Sequence, residues 1–137
     1  MNMDKFTERS RGFLQAAQTI AIREGNQRVV PEHLLKALMD DDQGLAANLI
    51  TRAGGDPRAV QRAVDEAVAK LPKVSGGDGQ VYVDPSLVRV LDEAEKLAKK
   101  AGDSFVPVER ILMALGMANT RAKDALDAGK VTTQALN

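Results

Sequence analysis

The chain has 137 residues, with 19 Lys and Arg balanced by 19 Asp and Glu, one histidine, no cysteine, and 44% hydrophobic but only 3% aromatic residues. That length supports one domain, or two very small ones, with a real core. No cysteine excludes disulfides, a thiolate nucleophile and thiolate-bound zinc, zero net charge argues against a nucleic-acid binder with its basic stripe, and no apolar run approaches the roughly 18 residues of a membrane span.

The N-terminus, Met1-Asn2-Met3-Asp4-Lys5, lacks the apolar stretch of a secretory signal, so a cytoplasmic location is expected. From Phe6 the apolar or small positions run Phe6, Ser10, Phe13, Leu14, Ala17, Ile20 and Ala21, a single stripe of helical period. Gly25-Asn26 ends that helix with a pair that tolerates left-handed backbone. Pro31 suits the first turn of a second helix, which turns Leu34, Leu35 and Leu38 inward. Asp40-Asp41-Asp42-Gln43-Gly44 is a polar break; three adjacent carboxylates invite a hard cation, but the spaced ligands of a calcium loop are missing and a solvated turn is expected. A third helix carries Leu45, Leu49 and Ile50 up to Gly54-Gly55. Asp56-Pro57 is an N-cap followed by a first-turn proline, and opens a fourth helix with Val60, Ala63, Val64, Ala67, Val68 and Leu71 on one face.

Residues 72–83, with Gly76, Gly77 and Gly79, break the pattern and read as a linker. Asp84-Pro85 repeats the cap-and-proline signal for a fifth helix bearing Leu87, Val90, Leu91, Ala94, Leu97, Ala98 and Ala101, stopped by Gly102-Asp103. A shift of 77 positions lays the second half on the first: Gly25 on Gly102, Asn26 on Asp103, Val29 on Val106, Glu32 on Glu109, Leu34 on Ile111 and Leu38 on Leu115. The expected architecture is all-α, with two pseudo-repeated four-helix units (about 3–71 and about 84–137) packed into one domain and ending in an eighth short helix.

Catalytic patterns are absent. There is no phosphate loop and no dinucleotide fingerprint. One imidazole excludes a His-based triad or multi-His metal site within one chain, and His33, just before Leu34 in a helix, reads as a partly buried structural residue. No nucleophile is activated, so this chain is not expected to be an enzyme.

The halves differ where Arg28 and Lys36 of the first correspond to Phe105 and Met113 of the second. Val88 widens the apolar face of the fifth helix beyond the Leu87/Leu91 line; an over-wide stripe is either core packed on two sides or a surface patch for a partner. Thr7, Asp103 and Glu109 flank these positions, and each also has an ordinary reading: back-bonding in its helix, a turn or an N-terminal cap, and the helix macrodipole.

Pro31-Glu32-His33-Leu34-Leu35-Lys36-Ala37-Leu38 within a duplicated four-helix unit resembles the Clp amino-terminal (Clp repeat) domain, which stands ahead of AAA+ ATPase rings. Met3-Asp4-Lys5-Phe6-Thr7, Leu71-Pro72-Lys73-Val74, Leu87-Val88-Arg89-Val90-Leu91 and Ala101-Gly102-Asp103-Ser104-Phe105-Val106 are similar to its disaggregase branch, and the similarity covers essentially all 137 residues. The resemblance implies the double Clp-N fold and a substrate-recognition module of an ATP-driven homohexamer that works with another chaperone system on unfolded or aggregated clients. It implies no cofactor here, ATP and magnesium belonging to ATPase domains after Asn137, and neither nucleic-acid nor membrane partners. Positions matching Thr7, Asp103 and Glu109 are associated with substrate engagement in the family; Arg110 stands where an apolar residue is frequent.

The expected site is a groove between helices one and six, with the end of helix five: Thr7, Leu87, Val88, Leu91, Asp103, Phe105, Glu109, Arg110 and Met113. Competing readings are docking of a folded adaptor, as on protease-partnered relatives, a helical nucleic-acid binder and a plain spacer.

Overall fold

The computed structural model describes residues 3–74 and 80–137. A 3-10 turn (Met3–Lys5) leads into α1 (Glu8–Arg23), β1 (Arg28–Val29), α2 (Pro31–Met39), α3 (Leu45–Arg52) and α4 (Pro57–Ala69). The second half runs β2 (Tyr82–Val83), α5 (Pro85–Ala101), α6 (Val108–Met117), α7 (Arg121–Ala128) and α8 (Thr133–Leu136). Among the described residues the chain is all-α apart from two very short strands.

Local chemistry sets the boundaries. Asp56 accepts the Arg58 and Ala59 N–H groups, and Asp84 accepts that of Ser86, so each aspartate satisfies orphan donors at a helix start where proline supplies the next residue. At the other end, Gly25 (φ +73°) and Gly102 (φ +81°) take the left-handed conformation. The N–H of Asn26 then reaches Ala21 C=O, and that of Asp103 reaches Ala98 C=O, each at 2.9 Å. These are the same turn, 77 residues apart.

The halves are tied together crosswise. Phe6 bridges Val106, and β1 pairs in parallel with β2 in the register Arg28 to Tyr82 and Val29 to Val83. The Thr7 N–H donates to Val106 C=O (3.1 Å) and the Asp84 N–H to Val29 C=O (3.0 Å). A shift of 77 exchanges these two bonds, so the segment before each long helix pairs with the segment after the other. α4 lies across α7, and α8 reaches α3 and α6. One core results, drawing Phe6, Leu34, Leu35, Leu38, Ile50 and Val60 from one half and Leu91, Ile111, Leu112, Leu115 and Leu126 from the other, all fully buried.

The expected linker is partly built into this frame. Asn26 Nδ2 donates to Pro72 C=O (3.1 Å), the Val74 N–H to Gly25 C=O (2.8 Å), and residues 82–83 form β2. Its glycine-rich stretch, 75–79, lies outside the described residues. The 40–42 acidic run lies in a largely exposed turn, where Lys36 pairs with Asp40 at 3.3 Å and Gln61 Nε2 donates to the same aspartate at 2.9 Å.

Candidate functional site

α1 and α5, the two long amphipathic helices, flank the β1–β2 pair. Between them opens a cleft of about 520 Å³ walled by Met3, Leu14, Val29, Val81, Val83, Leu87 and Leu91, with Arg11, Gln15 and Gln18 at its edge. Leu87 and Leu91 are only 2% and 1% exposed. They are a packed floor rather than a protruding patch, because one side of α5 is covered by α6 and the core. A second cleft, about 660 Å³, lies at the end of α5, where Asp103 and the 55%-exposed Phe105 stand among Lys5, Asp92, Glu95, Lys96 and Lys99.

The nine residues expected in one groove therefore separate. Leu87 and Leu91 line the first cleft, and Asp103 and Phe105 the second. Thr7, Val88, Glu109, Arg110 and Met113 line neither. Met113 is buried, a correction to its expected surface place: the Arg110 guanidinium lies over its sulfur, with Nη1 3.3 Å from Sδ. Val88 is half-buried and Glu109 is exposed in the first turn of α6.

Thr7 is the N-cap of α1 and precedes its first turn. Its Oγ1 accepts the Ser10 N–H (3.1 Å) and donates to Ser10 Oγ (2.9 Å), which in turn donates to Val106 C=O (2.9 Å). The hydroxyl thus holds a helix start and the α5–α6 connection at once. Thr7→Ala is expected to lower stability by about 1 kcal/mol, whereas Thr7→Ser keeps the cap and most of that stability; urea unfolding of the two variants checks this, and equal loss in both contradicts it.

Asp103 and Arg110 form an ion pair at 2.9 Å, both partly exposed, and Arg110 Nη1 also reaches Asn137 Oδ1 at 3.4 Å. At the positions 77 earlier, Asn26 and His33 make a buried neutral version of this contact: the Val30 N–H donates to Nδ1 (3.0 Å), and Nε2 faces Asn26 Oδ1 at 2.8 Å. An acceptor role for Nδ1 places the proton on Nε2. His33 is fully buried, not partly, and desolvation depresses its pKa to about 4 against the opposing field of Glu24. Beside it Glu32 is also buried, and desolvation pushes its carboxyl above the usual range, opposed by its own backbone N–H and by Arg121. Its counterpart Glu109 stays in water.

Val81 and Val83 lie in the stretch that the upstream glycines mark as a linker; the Val-Tyr-Val alternation is the sequence signal for them. Leu14 belongs to the apolar stripe of α1 and also lines this cleft. Among the described residues Arg11 is the one charged side chain on the first cleft. The arrangement offers apolar surface, a polar rim and backbone edges, which suits holding an extended or helical segment of another chain. Among the described residues no group of three acidic, His or Cys side chains is placed to hold a metal ion, and no helix is long and apolar enough to cross a membrane.

Residues 5–128 match the family model of the Clp repeat (R) N-terminal domain. The chain is 55% identical over 139 residues to the chaperone protein ClpB of Rhodopseudomonas palustris, covering all of this chain and 16% of that relative. It therefore spans about a sixth of the length of such relatives. Among solved structures it is similar to the Hsp104 N-terminal domain from Candida albicans, with TM-score 0.84, 22% identity, and 96% of this chain and 86% of that one covered. It is also similar to a ClpV N-domain solved in complex with a VipB peptide, with TM-score 0.79, 18% identity, and 98% and 83% covered.

Proposed function

The chain belongs to the Clp repeat N-terminal domain family and is similar to the N-terminal part of ClpB chaperones, and from that premise we propose that it is the client-reading module of a ClpB-type AAA+ disaggregase. It binds exposed apolar segments of unfolded or aggregated proteins weakly and passes them to an ATP-driven ring, carrying no catalytic or nucleotide site itself. ATP and magnesium belong to the ring, a cytoplasmic homohexamer that works with a second chaperone system.

The observation that carries this reading is the apolar cleft between α1 and α5. An aggregated client differs from a native one by its exposed apolar side chains, and Leu14, Val81 and Val83, set over the packed floor of Leu87 and Leu91, offer them a surface of matching chemistry. Burying two or three such side chains contributes ~1.5–3 kcal/mol each. Immobilisation and ordering offset several kcal/mol of that, which leaves at most about 5 kcal/mol and dissociation constants of roughly a few hundred micromolar to millimolar. Weak capture lets the client leave for the ring, and six copies in one assembly raise the effective concentration. In this scheme Asp103 and the exposed Phe105 offer a second contact at the far end of α5, apart from the apolar cleft, while Thr7 caps α1 and Arg110 holds Asp103.

Titrating the ¹⁵N-labelled chain with a reduced, alkylated protein that stays unfolded tests the proposal. Shifts are expected at residues 11–18, 81–83 and 87–91, saturating in roughly the sub-millimolar to millimolar range. Shifts confined to α4 and α7, or none, would refute it. The ClpV neighbour with its VipB peptide favours a second reading, docking of one dedicated partner; a native protein giving a saturable footprint where unfolded chains give none would select that alternative.

A further inference from the structure

We infer that an extended client segment docks as a third strand on the free edge of β2, a mode of capture that rests on the proposed reading of the α1–α5 cleft as a client site. Tyr82 N–H donates to Gln27 C=O (2.9 Å) and Asp84 N–H to Val29 C=O (3.0 Å), so residues 82 and 84 turn their donors toward β1. Backbone groups alternate along a strand, which sends the N–H and C=O of Val81 and Val83 to the opposite side. None of these four groups has a partner among the described residues.

The position 77 earlier behaves differently. There the N–H of Phe6 folds back onto Met3 C=O (3.1 Å) in the 3-10 turn, so that edge is closed. The N–H of Val83 has no such cap, and both Tyr82 and Val83 are 48% exposed. An open, half-exposed edge is a template for another extended chain, and main-chain hydrogen bonds bind without regard to sequence. That indifference is what a reader of many unfolded proteins requires.

The neighbouring cleft supplies the selection. A strand on this edge presents alternate side chains to Val81, Val83, Leu14, Leu87 and Leu91. Arg11 is the one charged group on the lining and has no ion pair among the described residues. Charge complementarity therefore defines the occupant: an extended apolar segment with a carboxylate at the Arg11 end, and no Lys or Arg at the inward positions.

A ten-residue peptide of alternating Leu and Ser with one terminal-side Glu is the probe, made unmodified and in two versions N-methylated on alternate residues in either register. The unmodified peptide is expected to shift Leu14, Leu91, Val81 and Val83 and to slow amide exchange at Val81 and Val83 about tenfold. Methylation in the register facing β2 weakens binding about tenfold, and in the other register less than twofold. Val83→Pro removes a donor that the fold does not use and gives a similar tenfold loss with the melting temperature nearly unchanged; if that variant unfolds, the methylated peptides decide alone. Exchanging Glu for Lys weakens binding several-fold. Equal tolerance of both registers, or a helical bound peptide, overturns strand addition but leaves the cleft as a client site. Tighter binding of the Lys peptide overturns the assigned occupant, and no binding by any peptide overturns both inferences.

Discussion

Gly129→Ala is expected to destabilise the chain by about 3 kcal/mol and lower its melting temperature by ~10 °C. A Cβ at this position would stand 2.3 Å from Val60 Cγ2 and 2.8 Å from the backbone oxygen of Asp56. Val60 is fully buried, so its methyl group has little room to rotate away. The Asp56 oxygen is worse, because it belongs to the start of α4 and no side-chain rotation moves it. Gly129 C=O meanwhile accepts the Asp56 N–H at 2.8 Å, so separating the two segments breaks a bond between the halves. Relief requires α7 to withdraw from α4, the contact that joins the halves on this side. Gly12, in the exposed middle of α1, meets nothing within 4 Å and is the control: Gly12→Ala should keep or raise stability by about 0.5–1 kcal/mol. Thermal unfolding of both variants by circular dichroism decides, and a Gly129→Ala protein that melts with the parent refutes the packing argument.

The helices were legible because their punctuation is local. Asp56-Pro57 and Asp84-Pro85 start α4 and α5, Gly25 and Gly102 end α1 and α5, and the leucine and valine stripes between them need no knowledge of their neighbours. The strands were not legible. Two residues have no periodicity, and the pairing of Val29 with Val83 spans more than fifty positions, so only the tertiary fold specifies it. The fate of the stripes was hidden for the same reason: a sequence shows that Leu87, Leu91 and Met113 face a partner, but not that α6 and Arg110 are that partner.

The polar residues divide similarly. Glu109 in a first turn follows from its place beside a helix start, whereas Thr7, whose position suggests back-bonding inside its helix, is the N-cap that precedes it. The pairing of Asp103 with Arg110, and of Asn26 with His33, depends on how a turn folds back on the next helix. Its only trace in the sequence is that both pairs are seven residues apart and coincide under the shift of 77. The two halves use one geometric slot for different chemistry, a buried neutral contact in the first and a partly solvated ion pair in the second. Burial of the imidazole makes the first slot sensitive to acid.

Between pH 6.5 and about 4, the chain is expected to lose as much as about 3 kcal/mol of stability through His33 alone. In the unfolded chain the imidazole takes up a proton near pH 6.5; in the fold, burial holds this back until about pH 4. The folded pKa is the lower one, so the unfolded state binds more protons throughout that window, and stability falls as pH falls. Above about pH 7 both states are neutral, and below about pH 4 both are charged, so the slope vanishes on either side. Glu32 works in the opposite sense, since its raised folded pKa means that stability drops as pH rises past the ordinary carboxylate value. A comparison with His33→Gln cancels Glu32 and the surface carboxylates and leaves the imidazole's share. The variant should be less stable at pH 7, where Asn26 and the Val30 N–H lose their buried partner. The gap should then narrow as pH falls, because only the parent has a histidine to protonate on unfolding. Urea unfolding of both proteins at half-unit steps from pH 4 to 7.5 measures this, and parallel curves across the window would show that His33 is charged in the fold after all.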